Sequence, residues 1–199
     1  MLLVIDSATA ACSVALLGAD GAVLAAVHEV VSRGHAERLL PMIDKMLAGR
    51  RPDAILVDCG PGSFTGVRVG LAAARGLAIG WGIPVAGYSS MALIAAASGA
   101  PRATVALIGG HGELFVQDYG GDPIAPLGEL RSLPPDAAAA IAMPLVLGSG
   151  AKALVEARGD GEWRDALPRA ADAGALPPAL RDLPPRPIYG RGPDARPMT

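Results

Sequence analysis

Residues 54–66 read AILVDCGPGSFTG, and this stretch says more about the fold than any other. Its first six residues form an apolar run that is typical of a buried strand. The glycine-rich loop 60–66 follows, and a helix is predicted from the end of that loop to about Ile79. A strand, a glycine-rich turn and a helix N-terminus in this order can offer free backbone N–H groups to an anion. The loop is therefore the first candidate for a binding site.

Two interpretations of loop 60–66 are open. A contact with an anion or a nucleotide would involve Gly62, Ser63 and Thr65, together with Asp6 at the end of the first predicted strand. However, no Lys-Ser/Thr follows the loop as in a Walker A sequence, and its glycines are spaced GxGxxxG rather than GxGxxG. The alternative is a tight structural turn whose glycines adopt positive φ and admit a neighbouring backbone. Spacing favours this structural turn, and Asp6 then closes the turn at 6–9 with its own side chain.

The segments on either side of the loop predict an α/β fold. In chain order they are strands at 2–5, 12–17 and 22–31, a helix at 35–48, the strand and helix around the loop, a strand at 85–88 and a helix at 89–98. Pro41 predicts a kink or a late start in the first helix. Ser89 or Ser90 is expected to cap the last one. The order βββαβα indicates a mixed sheet with helices packed on it.

A domain boundary is predicted near Pro101, which divides the chain into residues 1–100 and a smaller lobe of residues 101–199. The predicted elements of the second lobe are strands at 104–108, 113–119 and 145–147, a short alanine-rich helix within 120–144 and a helix at 151–158. From residue 159 onward no periodicity is evident, and a loosely structured region that partly folds back is expected. The sequence assigns no role to residues 120–186.

The composition excludes several classes of protein. Hydrophobic residues make up 51% of the 199 residues, which excludes a disordered chain. The 17 basic and 19 acidic residues give a net charge of −2, so the chain lacks the basic surface that grips nucleic acid unaided. Cys12 and Cys59 are expected to be buried free thiols. With no signal peptide at the N-terminus, and with Arg68 and Arg75 inside the apolar segment 66–85, we expect a soluble cytoplasmic protein.

The predicted loop helix carries two sets of small residues. Gly66, Gly70 and Ala74 recur at every fourth position, and Gly76 and Gly80 form a second pair. Glycine weakens a helix interior, so these positions call for a packing reason. One reason is contact with the sheet of the same chain, and the other is close approach of a helix from a partner subunit. Periodicity does not choose between them.

No catalytic set is evident in the sequence. His35 has no second histidine one helical turn away, and Ser63 does not lie in a GxSxG sequence. Neither a nucleophile with a base nor a metal-ligand cluster can be assembled from the spacing. The sequence therefore predicts a protein without catalytic residues or a metal.

The chain resembles the TsaB (YeaZ) family of bacterial proteins. The matching stretches are residues 5–7 (IDS), 12–16 (CSVAL), 35–41 (HAERLLP), 60–70 (GPGSFTGVRVG), 74–78 (ARGLA), 83–84 (IP) and, at the far end, 187–191 (PIYGR) with 193–195 (PDA). The likeness is dense over residues 1–95 and sparse afterwards. One departure is Ile108-Gly109-Gly110, which stands where the family reads Asp-Ala-Arg, so no role of those charged side chains is carried over.

This resemblance implies an actin-like, Hsp70-like, sugar-kinase-like (ASKHA) fold of two ribonuclease-H-like lobes. It also implies a non-catalytic subunit that binds the paralogue TsaD, with the ATPase TsaE, for threonylcarbamoyl transfer to adenosine 37 of tRNAs that read ANN codons. The metal-binding HxxxH of TsaD has Ser90 and Ile94 at the matching positions here. No tightly bound cofactor is expected, although ATP is allowed at the junction of the two subunits.

The expected interface with TsaD lies on the two helices at 35–48 and 66–80. Its predicted residues are Leu39, Leu40, Ile43, Gly66, Gly70, Ala73, Ala74 and Leu77. Without TsaD, the same surface is expected to form a homodimer, and tRNA contact is expected to be indirect. The alternatives are a nucleotide-binding enzyme of the sugar-kinase-like fold, using Asp6 and loop 60–66, and a peptidase.

Overall fold

The structure is a computed structural model that describes residues 1–31 and 33–190. Its first half contains a five-stranded mixed sheet in the order β3-β2-β1-β4-β5. β1 is antiparallel to β2 and β2 to β3, whereas β4 runs parallel to both β1 and β5. The strands are β1 (Leu2–Asp6), β2 (Ala11–Leu17), β3 (Val23–Val30), β4 (Ala54–Asp58) and β5 (Val85–Tyr88). The central strands read as apolar runs because both faces of the sheet are covered.

Three helices accompany this sheet, as predicted. They are α1 (His35–Leu47), α2 (Phe64–Trp81) and α3 (Ser90–Ala97). α1 and α2 bury apolar side chains on one face of the sheet, and α3 covers the other face. α1 begins at His35 and includes Pro41, so the late start that this proline allowed does not occur. The side chain of Pro41 is exposed, which leaves its ring free of the core.

The second half repeats the same arrangement in a reduced form. Its sheet has the order β11-β10-β6-β7-β8, with β9 also paired to β7. β6 has antiparallel β7 on one side and parallel β10 on the other, which matches the position of β1 between β2 and β4. The elements are β6 (Arg102–Ile108), β7 (Leu114–Gly120), β8 (Ala125–Pro126), β9 (Arg131–Leu133), α4 (Pro135–Ala139), β10 (Leu145–Leu147), α5 (Ala151–Arg158) and β11 (Glu162–Arg164). The duplicated topology confirms the predicted fold class. That the two lobes fold as separate domains stays a prediction.

The chain after residue 164 is more ordered than predicted. Two 3₁₀ helices, Ala170–Ala175 and Pro178–Leu180, follow β11, and the Ala170 N–H donates to Ser13 Oγ at 3.0 Å. Residues 183–190, here called the strap, then return to the first lobe. Leu183 pairs with Gly87 beside β5, and the Ile188 N–H donates to Cys59 O at 2.8 Å. Among the described helices, none combines the length and hydropathy that crossing a bilayer requires.

Candidate docking face and glycine-rich loop

Several backbone N–H groups of loop 60–66 donate hydrogen bonds to other groups of the protein. The Gly60 N–H donates to Asp58 Oδ1 at 2.8 Å, and the Ser63 N–H donates to Ala8 O at 2.6 Å. Ser63 also caps α2, since its hydroxyl oxygen accepts the Gly66 N–H at 3.2 Å. These three amides are therefore not free to bind an anion.

The loop glycines are required by close contact with the turn between β1 and β2. A Cβ on Gly62 would lie 2.1 Å from Ala8 O, and a Cβ on Gly66 would lie 2.1 Å from Ser7 O. Gly60 has a φ of +91°, the left-handed region that favours glycine. The structure thus supports the structural-turn interpretation of the loop, in which a neighbouring backbone fills the space that side chains would take.

Two buried carboxyl groups, Asp6 and Asp58, meet below the loop and are called the acid pair. Asp6 ends β1, and Asp58 ends β4 beside it. Asp6 Oδ2 accepts the Tyr88 hydroxyl at 2.7 Å, and Asp58 Oδ1 accepts the Gly60 N–H and the Ser90 N–H, the latter at 3.0 Å. Burial, reinforced by the charge of Asp58, holds the pKa of Asp6 well above its usual range. Burial likewise raises the pKa of Asp58 to about 7.

The sequence singled out Asp6 but missed Asp58. The signal was available, because an aspartate at the end of a second parallel strand is brought to the same sheet edge as the first. The Ala8 amide interacts with the Asp6 carboxyl, which agrees with the turn-closing role expected of Asp6. Neither Asp6 nor Asp58 is exposed to solvent, so the acid pair has no open path to a ligand. No group of three or more metal-ligating side chains lies together in residues 1–31 and 33–190.

An open cleft of about 1320 Å³ separates loop 60–66 from the second lobe. Gly62 and Ser63 line it, whereas Asp6 and Thr65 do not. At its rim the Arg68 guanidinium lies 3.2 Å from the centroid of the Phe64 ring and donates to the Tyr189 hydroxyl at 2.7 Å. Of the four predicted anion contacts, the structure thus places two at a cleft and one, Asp6, in the interior. Binding of an anion or nucleotide there stays a prediction.

The serines expected to cap α3 do not do so with their side chains. Ser89 occupies the N-cap position, but no side-chain hydrogen bond caps this helix. The Ser90 hydroxyl instead donates to Pro61 O at 3.0 Å, which ties the start of α3 to the loop. The cap residue was thus predicted correctly as Ser89, but the side-chain hydrogen bond expected of it is absent from the described contacts.

The two sets of small residues on α2 lie on different faces. Gly66, Gly70 and Ala74 are buried against the chain's own sheet, and a Cβ on Gly70 would lie 2.6 Å from Ser7 Oγ. For this set, packing within the chain is the correct interpretation. Gly76 and Gly80 face outward, and a Cβ on either of them would have no atom within 4 Å. The second set is therefore the one available to a partner.

The interface residues predicted on α1 and α2 divide in the same way. Leu39 and Ile43 are buried in the core, because they lie on the stripe of α1 that faces the sheet. Leu40 lies one position off that stripe and is half exposed. Ala73 and Leu77 are partly buried at the edge of α2. The buried residues cannot contact a partner directly and would affect an interface only by holding the exposed residues in place. The interface itself stays a prediction.

The outward side of α2 forms an apolar surface that sequence reasoning did not identify. Ile79 is 84% exposed, more than any other large hydrophobic residue of the described chain. At 100° per residue, Ala72 and Gly76 project to the same side of α2 as Ile79, Gly80 lies at the edge of that side, and all of them are exposed. Arg75, one turn before Ile79, is also exposed on this side. Ile79, Ala72, Gly76 and Gly80 are called the docking face. Its signal in the sequence was the second glycine pair, one turn from an isoleucine.

The strap runs along one flank of the docking face. Arg75, on α2, donates a hydrogen bond to Pro185 O, and Arg68, two turns earlier, holds Tyr189. Both arginines are exposed and reach sideways from the helix to residues more than 100 positions later in the chain. The strap thereby fixes the position of α2 relative to β5.

The comparisons with known proteins agree with this architecture. A family model described as "TsaD: tRNA N6-adenosine threonylcarbamoyltransferase" matches residues 26–157. The solved structure of YeaZ from Pseudomonas aeruginosa superimposes with a TM-score of 0.81 at 32% identity, covering 94% of this chain and 98% of that one. The chain belongs to the TsaB (YeaZ) family. The predicted family and fold are thus confirmed.

The curated TsaB relatives match only a part of this chain. "tRNA threonylcarbamoyladenosine biosynthesis protein TsaB" of Escherichia coli is 39% identical over 127 residues, which are 59% of this chain and 54% of that protein. The protein of the same name from Haemophilus influenzae is 44% identical over 102 residues, 49% of this chain and 42% of its own length. The chain thus spans about half the length of the curated TsaB relatives it matches.

Two stretches of the TsaB likeness have a clear structural role. Residues 60–70 form the loop and the first turns of α2, where glycine is required by contact with Ser7 and Ala8. The closing stretch 187–195 begins in the strap, whereas residues 191–195 lie outside the described residues. The departure at Ile108-Gly109-Gly110 lies at the end of β6 and the turn after it, on the wall of the cleft.

Proposed function

We propose that this chain is a non-catalytic subunit in the biosynthesis of N6-threonylcarbamoyladenosine on tRNA. It binds the paralogue TsaD, acts with the ATPase TsaE and leaves threonylcarbamoyl transfer to adenosine 37 of ANN-reading tRNAs to TsaD. The names of its curated relatives support the pathway. The residue chemistry supports the non-catalytic part, because the acid pair is sealed from solvent. A cytoplasmic location follows from a tRNA substrate.

The docking face is the observation that carries this proposal. An 84% exposed isoleucine beside glycines with open space above them allows a partner helix to approach the α2 backbone closely. The inner side of the same helix is anchored to the sheet through Gly66 and Gly70. In the absence of TsaD, the same face pairs with a second copy of this chain, which gives a homodimer.

The experiment compares two charge substitutions of exposed aliphatic residues. Ile79→Glu puts a carboxylate in the docking face, and the matched control Val30→Glu does so on β3, where Val30 is 64% exposed. We expect Ile79→Glu to lose co-purification with TsaD and to lower threonylcarbamoyladenosine formation from threonylcarbamoyl-AMP, ATP, TsaD and TsaE. Val30→Glu is expected to keep both. Unchanged TsaD binding by the Ile79 variant would contradict the proposed interface, and full modification without this chain would contradict the proposed subunit role.

The cleft favours a second candidate, a nucleotide-binding enzyme of the sugar-kinase-like fold. Its volume of about 1320 Å³ accommodates a nucleotide, and Gly62 and Ser63 lie on its wall. The engaged amides of loop 60–66 argue against a phosphate cradle. Calorimetric titration with ATP and magnesium separates the candidates, because tight binding by this chain without TsaD is expected only for the enzyme. Binding that needs TsaD would place ATP at the junction of the subunits.

A further inference from the structure

Each carboxyl of the acid pair has one oxygen without a hydrogen-bond partner. These atoms are Asp6 Oδ1 and Asp58 Oδ2, and both side chains are essentially inaccessible to solvent. β1 and β4 are neighbouring parallel strands in the register Ile5↔Val57, which brings the two carboxyls side by side at the strand ends. A buried polar atom without a partner is costly. The Asp6 and Asp58 side chains lie within hydrogen-bonding reach of each other, so one proton shared between them satisfies both oxygens.

Within residues 1–31 and 33–190, no basic side chain lowers the pKa of either carboxyl of the acid pair. The titratable groups that face it are Tyr88 on β5, Cys12 on β2 and Cys59 after β4. Burial raises the pKa of both thiols to about 11 and that of Tyr88 well above its usual range, so all three are neutral at neutral pH. Two ionised carboxylates would therefore repel each other in a medium of low dielectric constant.

We propose that Asp6 and Asp58 hold one shared proton at neutral pH, and that this proton fastens loop 60–66 to the sheet. Asp58 Oδ1 accepts from Gly60 at the start of the loop and from Ser90 at the start of α3. Asp6 Oδ2 accepts from Tyr88. The proton thus joins β1, β4, β5 and the loop that leads into α2. This inference does not depend on the proposed partner.

The proton belongs to Asp6 rather than to Asp58. Two backbone N–H groups donate to Asp58 Oδ1 and stabilise its anion. The hydrogen bonds from the Tyr88 hydroxyl and the Ala8 amide lower the pKa of Asp6, but burial and the charge of Asp58 raise it by more. The arrangement is a neutral Asp6 that donates to an anionic Asp58.

The pH dependence of stability follows from the raised pKa values. The folded chain binds protons on Asp6 and Asp58 that the unfolded chain releases near its ordinary carboxyl pKa. The free energy of unfolding therefore falls as the pH rises above about 4, through the pKa of Asp58 near 7 and on through the higher pKa of Asp6. Below about pH 4 both states are protonated, and the contribution is fully present.

The test uses asparagine as a permanent donor. In Asp6→Asn the amide NH₂ takes the place of the protonated oxygen and donates to Asp58 Oδ2. In Asp58→Asn the NH₂ donates to Asp6 Oδ1, while the amide oxygen still accepts from Gly60 and Ser90. Each single variant keeps every hydrogen bond, whereas the double variant turns two NH₂ groups toward each other. The matched control is Asp182→Asn, just before the strap and outside the core.

We expect both single variants to unfold at the same or a higher urea concentration than the unmodified chain at pH 8–9. The double variant is expected to unfold at a much lower concentration than either, and Asp182→Asn to change nothing. Infrared spectra at pH 8 should show the carbonyl stretch of a protonated carboxylic acid that is missing in Asp6→Asn. A single variant as unstable as the double, or no such band in the unmodified chain, would overturn the proposal.

Discussion

Replacing Gly66 by alanine is expected to destabilise the fold, although alanine favours helices. A Cβ at this position would lie 2.1 Å from Ser7 O, and Cβ atoms essentially never come within 3.0 Å of another heavy atom. The start of α2 would have to move about 0.9 Å from the turn between β1 and β2. Overpacking of this kind costs about 1–3 kcal/mol, sometimes more. The hydrogen bond from Ser7 Oγ to Gly66 O, worth about 1 kcal/mol, would also be strained.

The matched control is the same substitution at Gly76, on the outer side of the same helix. No atom lies within 4 Å of a Cβ there, so Gly76→Ala gains helix propensity at no steric cost. We expect this gain to be about 0.5–1 kcal/mol. With a loss of about 2 kcal/mol for Gly66→Ala, the two variants differ by about 3 kcal/mol.

The measurement is equilibrium unfolding in urea at one low protein concentration. With a slope of about 2 kcal/mol per molar, the midpoints of the two variants should differ by about 1.5 M urea, Gly76→Ala being the higher. Equal slopes would show that only stability has changed. If Gly66→Ala unfolds at or above the midpoint of Gly76→Ala, the contact between the helix and the turn is not the reason for glycine at this position.

Two further outcomes can be measured directly. Burial raises the pKa of the Cys12 and Cys59 thiols to about 11. Their reaction with a thiol reagent at pH 8 should therefore be slow in the folded chain and fast after unfolding. Rapid labelling of the folded chain would contradict their burial. Arg75→Ala removes the hydrogen bond to Pro185 O and should speed proteolytic cleavage within the strap. The control Arg51→Ala removes a similar hydrogen bond to Trp81 O, at the C-terminal end of α2, and should leave the rate of cleavage in the strap unchanged.

The elements that the sequence predicted correctly are those with strong local signals. β1, β2 and β4 are apolar runs bounded by turn residues, and α5 was predicted with the bounds it has. β8, β9 and β11 were missed because they have two or three residues each and contain no apolar run; they are held by pairing with β7 or β10. The regular structure after residue 159 was not predicted, because it is held by contacts with residues far earlier in the chain.

The sequence indicated a contact surface on α2 but not which side of the helix carries it. Small and apolar residues occur all round α2, so periodicity could not tell its inner face from its outer one. The inner face is identified by the close approach of Ser7 O to Gly66, and this distance is set by the tertiary structure. Asp58 was missed for a similar reason, since its significance depends on the neighbouring strand end that carries Asp6.

The two sides of α2 together give a structural reason for the glycines of a loop that resembles a phosphate cradle. On the inner side, Gly62 and Gly66 let the helix start directly against the turn at Ser7 and Ala8, and the acid pair holds the loop from below. A helix fixed in this way loses little freedom when a partner binds its outer side, so less of the binding energy is spent on ordering. The glycines of the loop are required by packing against Ser7 and Ala8, and under the proposed interface they also hold the docking face in position.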